Sequence, residues 1–503
     1  MALSFSPLED YGREIKSLGQ GTYGVVIATD EGYVIKRICN NGIDTYIPSK
    51  SALFEIVSLL KISSPYVIPL IDVNVGREAT SLILPLAKGP LNAYMGKIDF
   101  DIQEVAWQIC RGLADVHNAN ILHLDLKPEN IFVRNISSPA IWIGDFGISK
   151  IHPNNRLRGS YFTLWYRAPE VFLGDEVTTK ADVWAVGVII AEMLLSRRKC
   201  RPQRLFPGHG HLDQLNRIFQ LTGTPHRQSW PWIANLPDRG NYLSLIGDFN
   251  RKLETYLADG GLSQEEIEFI TNILIIDPNQ RPTIFQVLQS SWFGDREDIP
   301  LPFTHQQIIS KYAAHSNNNW HSILPRQLIL DITIQVCNTF ELSDETLSLA
   351  VYLLDEIQPV NQGEINFWGL ACIYLASVFC DMEAINADDV SMISSNIYSP
   401  KQIRMGAANV AIHTCFKLAE ATSLFFLQPR NKTTIQLWTG SLLTIHHFKP
   451  PRQIADDIII LSNPSFHLRR SARKLRGDLL ILSLDSPMMT FSPNLRNYLN
   501  QRL

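Results

Sequence analysis

The feature that most constrains the fold is an ordered series of polar residues set between apolar runs, in ILHLDLKPENIFV (residues 121–133) and IWIGDFGISK (141–150). Its members are Asp125, Lys127, Asn130 and Asp145. Each alone could be a turn residue, because Asp and Asn favour turns. Phosphoryl transfer, however, needs a carboxylate to orient the attacking hydroxyl, a positive group near the transferred phosphate and oxygen ligands for magnesium. The series therefore favours a fold that gathers these four side chains on one side of a nucleotide.

A glycine-rich stretch, GQGTYG (residues 19–24), comes earlier and has the spacing G-x-G-x-x-G. In a dinucleotide-binding fold such glycines lie between a strand and a long helix. Here VVIATDEGYVIKRI follows, which is two β-rich runs joined by the turn-forming residues 30–32. The pattern favours a flap of short strands whose backbone N–H groups lie over phosphates, with Lys36 on the third strand reaching their oxygens.

The next predicted element is a helix in PSKSALFEIVSLLKI (residues 48–62), in which Glu55 stands among apolar residues. An unpaired carboxylate in such surroundings would be costly. We therefore predict that Glu55 pairs with Lys36 and holds it in place. A solvated glutamate on the edge of the helix is the alternative.

Residues 1–296 resemble a protein kinase, and in particular a cyclin-dependent kinase. The resemblance is carried by GQGTYGVV, PSKSALFE, HLDLKPEN, DFG, TLWYRAPE, ADVWAVGVIIAEML and DPNQRPT. It implies an α+β, bilobal fold with a β-rich N-terminal lobe and a helical C-terminal lobe. The form DLKPEN is similar to that of Ser/Thr kinases, so the expected acceptor is a serine or threonine hydroxyl of a protein substrate.

The resemblance also implies roles for the polar residues. Asp125 and Lys127 are the expected catalytic residues, and Asn130 and Asp145 the expected magnesium ligands. The implied cofactors are ATP and Mg²⁺. The residues expected to contact the nucleotide are Leu18, Gly19, Gly21, Gly24, Val26, Lys36, Glu55 and Ala87.

Three positions depart from the pattern where the family binds a phosphothreonine of its activation loop. Leu124 and Phe54 replace two arginine receptors, and Arg158 stands at the phosphothreonine position. Removing one member of a charged network leaves the others unpaired at a cost of about 1–3 kcal/mol, whereas replacing all of it by apolar groups can be nearly neutral. We therefore predict activity without an activating phosphate, with Arg158 paired to an acidic group of the second half. The alternative is that another hydroxyl takes the phosphate: Ser160, Tyr161 or Thr163.

The second half, after DREDIPLPF (residues 295–303), is predicted to be helical. PRQLILDITIQVCNTFELSDETLSLAVYLLDEI and EINFWGLACIYLASVF resemble the first helices of a cyclin box, with Arg326 and Asp355 at its internal ion pair. Residues 365–380 are apolar on every side, so other helices must surround them. Val378 and Gly406 replace a Lys and a Glu of the family, so contact with the kinase half is expected to be built differently. A generic helical bundle is the alternative.

These features divide the chain into four segments. They are a kinase domain (1–296), a linker that can include an N-terminal cyclin helix (297–325), an all-α cyclin-box-like domain (326–427) and a C-terminal helical extension (428–503). The linker could span up to about 95 Å if extended, so the cyclin-like domain could dock onto the Glu55 helix of its own chain. It is the expected intramolecular partner, and whether an external cyclin is also bound stays open.

The composition and charge of the chain argue against two classes of partner, nucleic acid and membranes, and do not identify a partner. The net charge of −4 gives no general attraction to nucleic acid, which is therefore not an expected partner. The longest uncharged apolar run, residues 365–380, is shorter than the roughly 20 residues of a membrane span. The first residues lack the apolar region of a signal peptide. We expect no membrane partner and a cytoplasmic or nuclear location.

The sequence thus predicts a Ser/Thr protein kinase with a cyclin-like activator built in, in a cell-cycle or transcriptional role that stays open. Tyr161 and Phe162 replace the small residues of the family's proline-accepting pocket, which leaves a preference for Ser/Thr-Pro sites open. The alternative function is a catalytically weak scaffold that sequesters partners. The altered regulatory positions favour the scaffold, but the complete catalytic series favours the kinase.

Overall fold

The computed structural model describes these residues: 8–21, 24–40, 48–76, 78–97, 101–136, 139–151, 157, 159, 161–296, 333, 336–337, 339–357, 362–381, 384–394, 396–414, 416 and 418. The predicted linker and C-terminal extension lie outside them, as do Arg158 and Arg326. The chain has a β-rich part, a helical part and a second helical part, in that order. The predicted α+β class, with a bilobal kinase fold followed by a helical cyclin-like domain, is confirmed.

The β-rich part is built on one five-stranded antiparallel sheet with the order β1-β2-β3-β5-β4. Its strands are β1 (Glu14–Gly21), β2 (Gly24–Thr29), β3 (Tyr33–Cys39), β4 (Asp72–Val75) and β5 (Ala79–Pro85). β3 is central, and its Lys36 lies opposite Val26 on β2 and Leu82 on β5. The predicted flap is therefore β1 and β2, and Lys36 lies in the middle of the sheet.

A single long helix, α1 (Lys50–Lys61), packs beside this sheet. It begins after Ser49, whose hydroxyl accepts a hydrogen bond from the Ala52 N–H and so satisfies one free donor of the first turn. Every residue from Ala52 to Leu59 is buried. A helix buried on all faces needs a neighbour on the side that the sheet does not cover.

The helical part of the kinase half surrounds one buried helix, α4 (Thr179–Lys199), in which every residue from Ala181 to Ser196 is buried. The other helices are α2 (Ile102–Asn118), α3 (Pro169–Phe172), α5 (His211–Thr222), α6 (Arg239–Tyr242), α7 (Leu253–Asp259), α8 (Gln264–Ile273) and α9 (Ile284–Val287). Short strands carry the loops that face the sheet: β6 (Gly89–Pro90), β7 (Ile121–Leu122), β8 (Ile131–Asn135), β9 (Ala140–Ile143) and β10 (Lys150–Ile151).

The second helical part contains α10 (Asp344–Ile357), α11 (Gln362–Cys380), α12 (Ala387–Ile393) and α13 (Pro400–His413). The apolar helix α11 contacts the other three, as its composition predicted. Gly406 of α13 allows a close crossing, because a Cβ atom there would lie 2.7 Å from Cζ of Phe367. Among the described residues, no helix is both long enough and apolar enough to cross a membrane.

Helix α11 is the neighbour that covers α1. The rings of Phe54 and Phe379 are 4.9 Å apart, and Nζ of Lys50 donates to the backbone carbonyl of Asp381 at 2.5 Å. The second helical part therefore contacts the helix that carries Glu55 within the same chain. The length of the linker left this arrangement open, and the structure adopts it.

Candidate active site

A cavity of about 710 Å³ lies between the sheet and the helical part of the kinase half. Of the residues predicted to contact a nucleotide, those that line it are Leu18, Gly19, Gly24, Val26, Lys36, Glu55 and Ala87. Gly21, the remaining predicted residue, pairs with Gly24 at the end of β1. Asp125, Lys127, Asn130 and Asp145 line the opposite wall. The four members of the polar series thus meet in one cleft.

Lys36 connects the two walls of the cleft. Its Nζ lies 2.7 and 2.8 Å from the two carboxylate oxygens of Glu55 and 2.7 Å from Oδ1 of Asp145. Burial favours the neutral amine, but the two carboxylates outweigh it and raise the pKa of Lys36. Burial likewise works against ionised Asp145, yet Lys36 lowers the pKa of that carboxyl. The site therefore contains a charged lysine and a charged aspartate at neutral pH.

The carboxylate of Asp125 is held in a fixed orientation by three side chains. Lys127 Nζ donates to its Oδ2 at 2.7 Å, and the N–H and hydroxyl of Thr163 donate to its Oδ1 at 3.0 and 2.7 Å. The Asn130 amide donates to its Oδ2 at 3.2 Å and to its backbone carbonyl at 2.9 Å. A carboxylate held in this way can orient an acceptor hydroxyl and take its proton. A general base must first lie within hydrogen-bond reach of that proton, and only then does its pKa decide how well it acts.

The loop that presents Asp125 has a strained backbone and is anchored to the buried helix α4. Leu124 has φ of +68°, a region that bulky residues rarely adopt. The N–H groups of His123 and Leu124 both donate to Asp182 at 2.9 Å, and Asp182 is fully buried on α4. These charge-assisted hydrogen bonds stabilise the turn that aims Asp125 into the cleft.

His123 supports the same loop in its neutral form, because burial lowers its pKa. Its Nε2 lies 3.1 Å from the carbonyl of Gly144, which can only accept, so Nε2 carries the proton. Nδ1 then accepts from the backbone N–H of Asp125 at 3.3 Å. One imidazole therefore ties the loop of Asp125 to the residue that precedes Asp145.

The predicted magnesium ligands have free oxygens of the right chemistry. Asn130 uses its amide nitrogen towards Asp125, and Lys36 contacts only Oδ1 of Asp145. Among the described residues, no hydrogen bond reaches Oδ1 of Asn130 or Oδ2 of Asp145. Carboxylate and amide oxygens suit Mg²⁺, which usually takes one or two protein ligands and completes its shell with water and phosphate oxygens. The two residues fit such an ion.

Two of the three positions that depart from the cyclin-dependent kinase pattern, Leu124 and Phe54, make apolar contacts, and the third, Arg158, lies outside the described residues. Leu124 is completely buried. Phe54 packs on Phe379. Nζ of Lys150 lies 4.6 Å from the centroid of the Phe54 ring, and Lys150 is near the start of the activation segment, which we define as residues 145–170, from DFG to APE. The hydroxyl of Thr163, one of the alternative phosphorylation sites, is bonded to Asp125 and Lys127. The described part of this region therefore contains direct packing where the pattern has a phosphate receptor.

The sequence did not indicate the structural role of three residues that shape the site, namely Thr163, His123 and Asp182. Asp182 had a detectable signal, because it is one carboxylate within the apolar run ADVWAVGVII and must have a partner there. Thr163 had no such signal. Its contact with Asp125 joins residues 38 positions apart, and nothing in the local pattern of either segment indicates it.

Comparison with known families agrees with this geometry. A family described as protein kinase domain matches residues 13–293, which is more than half of the 503 residues. A second, described as cyclin, N-terminal domain, matches residues 303–410 and so includes α10, α11 and α12. Both matches agree with the order of the two halves. The chain therefore belongs to the protein kinase family and carries a cyclin N-terminal domain after its kinase domain.

Proposed function

We propose that the protein is a Ser/Thr kinase of the cyclin-dependent kind, which transfers the γ-phosphate of ATP to protein hydroxyls and has its cyclin-like activator in the same chain. The observation that carries this proposal is a continuous set of contacts from the cyclin-like half to Asp145, which belongs to the polar series in the cleft. Phe379 packs on Phe54 of α1, and Glu55 of the same helix pairs with Lys36. Lys36 in turn contacts Asp145.

The nucleotide is expected to lie between the flap and the polar series. Lys36 can reach phosphate oxygens while Glu55 fixes its position, and the backbone of Gly19 and Gly24 lines the cavity above them. Asn130 and Asp145 would hold Mg²⁺, which neutralises charge on the phosphates when it is bound. Both walls of the cavity therefore serve to orient one triphosphate.

The acceptor is expected at Asp125. Its carboxylate orients the hydroxyl and receives its proton as the hydroxyl oxygen bonds to the γ-phosphorus and the bond from that phosphorus to the bridging oxygen of ADP breaks, so that ADP leaves. Lys127 offsets the negative charge on the transferred group. Because Thr163 and Lys127 already fix the carboxylate, little reorganisation is needed when the acceptor arrives. The form DLKPEN supports serine or threonine as the acceptor residue.

The cyclin-like half is proposed to activate the kinase half by holding α1. A helix that moved away from the sheet would separate Glu55 from Lys36, which are joined at 2.7 Å here. Covering α1 with α11 removes apolar surface from water and so favours the inward position. Joining the two halves in one chain replaces a bimolecular association by an effective concentration of about millimolar.

The direct test is Asp125→Asn. The change keeps shape and volume but removes the proton acceptor, so phosphorylation of a Ser/Thr peptide should fall by about 10²- to 10⁴-fold while ATP binding, measured by calorimetry, is retained. Asp259→Asn, at an exposed position at the end of α7, is the matched control and should leave the rate unchanged. Full activity of Asp125→Asn would refute the assignment. A wild-type protein that transfers no phosphate would favour the scaffold instead.

A further inference from the structure

A buried arginine lies under the activation segment without an ion-pair partner among the residues that the structure describes. Arg167 is 7% exposed, donates from Nη2 to the carbonyl of Phe162 at 2.8 Å and lies over the ring of Phe172. Its Nε has no hydrogen-bond partner in the described part of the chain. Glu170, three residues on, is bonded to Arg281 instead. The charge of Arg167 is therefore stabilised by neutral groups.

One of these neutral groups is an imidazole. Nη1 of Arg167 lies 3.1 Å from Nε2 of His211, the first residue of α5. A guanidinium can only donate, so Nε2 must accept and must carry no proton. The single proton of the neutral ring is then on Nδ1. A protonated His211 could not accept this hydrogen bond, and it would place a second positive charge beside the first.

Two further contacts connect the pair of Arg167 and His211 to the carboxylate of Asp125. Phe162 is buried and has φ of +70°, a conformation that an aromatic residue adopts only when its surroundings hold it there. The hydrogen bond from Arg167 to its carbonyl provides this hold. The next residue, Thr163, bonds Asp125 through its N–H and its hydroxyl. The turn at Phe162 therefore borders the place where an acceptor must meet Asp125.

The other ionisable groups around this pair do not replace His211. On α5 itself, Asp213 is bonded to Arg217 and to the backbone N–H of His209. On neighbouring elements, Tyr166 is hydrogen-bonded to Glu192, Glu254 of α7 is bonded to Arg251, and Tyr242 of α6 interacts electrostatically with Arg167. Asp259, at the end of α7, is exposed to solvent. In the described part of the chain, His211 thus faces one charged group, which is Arg167.

We propose that His211 is a positioning residue for the acceptor peptide: in its neutral form it fixes Arg167, and through Arg167 the turn at Phe162. This inference rests on the proposed kinase function. It deepens that function by predicting that protonation of one imidazole weakens binding of the acceptor and leaves binding of the nucleotide unaffected.

The direction of the pH effect follows from the surroundings of the ring. His211 lies at an exposed position, and its limited burial and then the neighbouring Arg167 lower the pKa of His211 from its ordinary value of 6.5. The native contact is therefore fully present above pH 6.5 and is lost as the pH falls through the lower, folded-state pKa. Acid pH should release the turn, and neutral pH should restore it.

The test compares the wild type with His211→Gln, in which an amide oxygen can accept from Arg167 but cannot titrate. The KM for a serine peptide without ionisable side chains is measured from about pH 7.5 to about pH 5.5. We expect the wild-type KM to rise about fivefold on acidification and that of His211→Gln to stay nearly constant, with the same KM for ATP in both. His226→Gln, an exposed histidine that contacts a loop carbonyl, should behave as the wild type. A rise in His211→Gln equal to the wild-type rise would overturn the proposal.

A second measurement does not depend on activity. NMR titration of isotope-labelled histidine, with the His211 signal identified by its absence from His211→Gln among the 13 histidines, reports both the pKa and the tautomer. The proposal predicts titration below 6.5 and a proton on Nδ1 in the neutral ring. Titration at or above 6.5, or a proton on Nε2, would refute it. A wild type that phosphorylates no peptide would refute the proposed function, while this titration still decides on the contact.

Discussion

Lys36 shows at the residue scale how one side chain can serve both stability and chemistry. It is 18% exposed, pairs with the almost fully buried Glu55 and contacts Asp145 across the cleft. Burial raises the pKa of Glu55, so the ionised carboxylate depends on the ammonium beside it. Removing one partner from a buried pair is costly, whereas removing both in favour of apolar groups often is not.

This asymmetry gives a prediction for stability. Lys36→Met should destabilise the kinase half by about 3 kcal/mol, because Glu55 is left buried without its partner. Lys36→Met combined with Glu55→Met should recover most of that loss, although we expect both variants to be inactive. Urea unfolding measures the difference. Lys16→Met, on an exposed part of β1, is the control and should change stability by less than about 0.5 kcal/mol. If the losses in the free energy of unfolding caused by the two single substitutions add up in the double variant, the account is contradicted.

The residues also show what can be read from the sequence. The contact between Lys36 and Glu55 could be predicted, because a carboxylate among apolar residues requires a partner of opposite charge. Asp125, Lys127, Asn130 and Asp145 could be grouped because phosphoryl transfer needs these residue types together. Thr163 and His211 could not, because their roles arise from contacts with distant segments and from a backbone turn that no local pattern indicates.

At the scale of elements, the packing of α11 on α1 is the central feature. Sequence periodicity predicted an apolar helix that needs neighbours, but it could not say that α1 is one of them. The contact uses Phe54 and Phe379, together with a hydrogen bond from Lys50 to the end of α11. Phe54 also carries Lys150 of β10 over its ring. One side chain on α1 thus touches both the cyclin-like half and the start of the activation segment.

The contact between the two helices predicts an effect at a distance from the cleft. Phe379→Ala removes the aromatic partner of Phe54 and should lower the peptide phosphorylation rate about tenfold, which corresponds to a coupling of about 1.4 kcal/mol. Phe285→Ala, on an exposed position of α9, is the matched control. An unchanged rate in Phe379→Ala, with the control also unchanged, would show that α11 does not govern α1.

The activation segment gives a second prediction at this scale. Leu124 and Phe54 are packed among apolar groups, and Lys150 lies on Phe54, so this end of the segment has direct contacts that need no phosphate. Protein made in bacteria and treated with phosphatase should therefore phosphorylate peptide at its full rate. An inert protein that gains activity only after treatment with an activating kinase would contradict this expectation.

At the scale of the whole molecule, a kinase half and a cyclin-like half lie in one chain. The bilobal fold and the cyclin-like helices could be predicted from strings of residues that resemble two families. Docking of the cyclin-like half onto the Glu55 helix was one possible arrangement, but the residues that make the contact could not be predicted, because a linker of that length allows many arrangements. In the structure, the two halves meet at the helix that positions Lys36. Activity should then be a property of single chains and not of their association.

The measurement that tests this claim most directly is peptide phosphorylation by the intact chain over a hundredfold or greater dilution, with Asp125→Asn as the blank. We predict phosphate transfer that is absent from the blank, with a specific activity that stays constant on dilution, since an intramolecular contact does not depend on concentration. No transfer above the blank, or a specific activity that falls in proportion to dilution, would contradict the account.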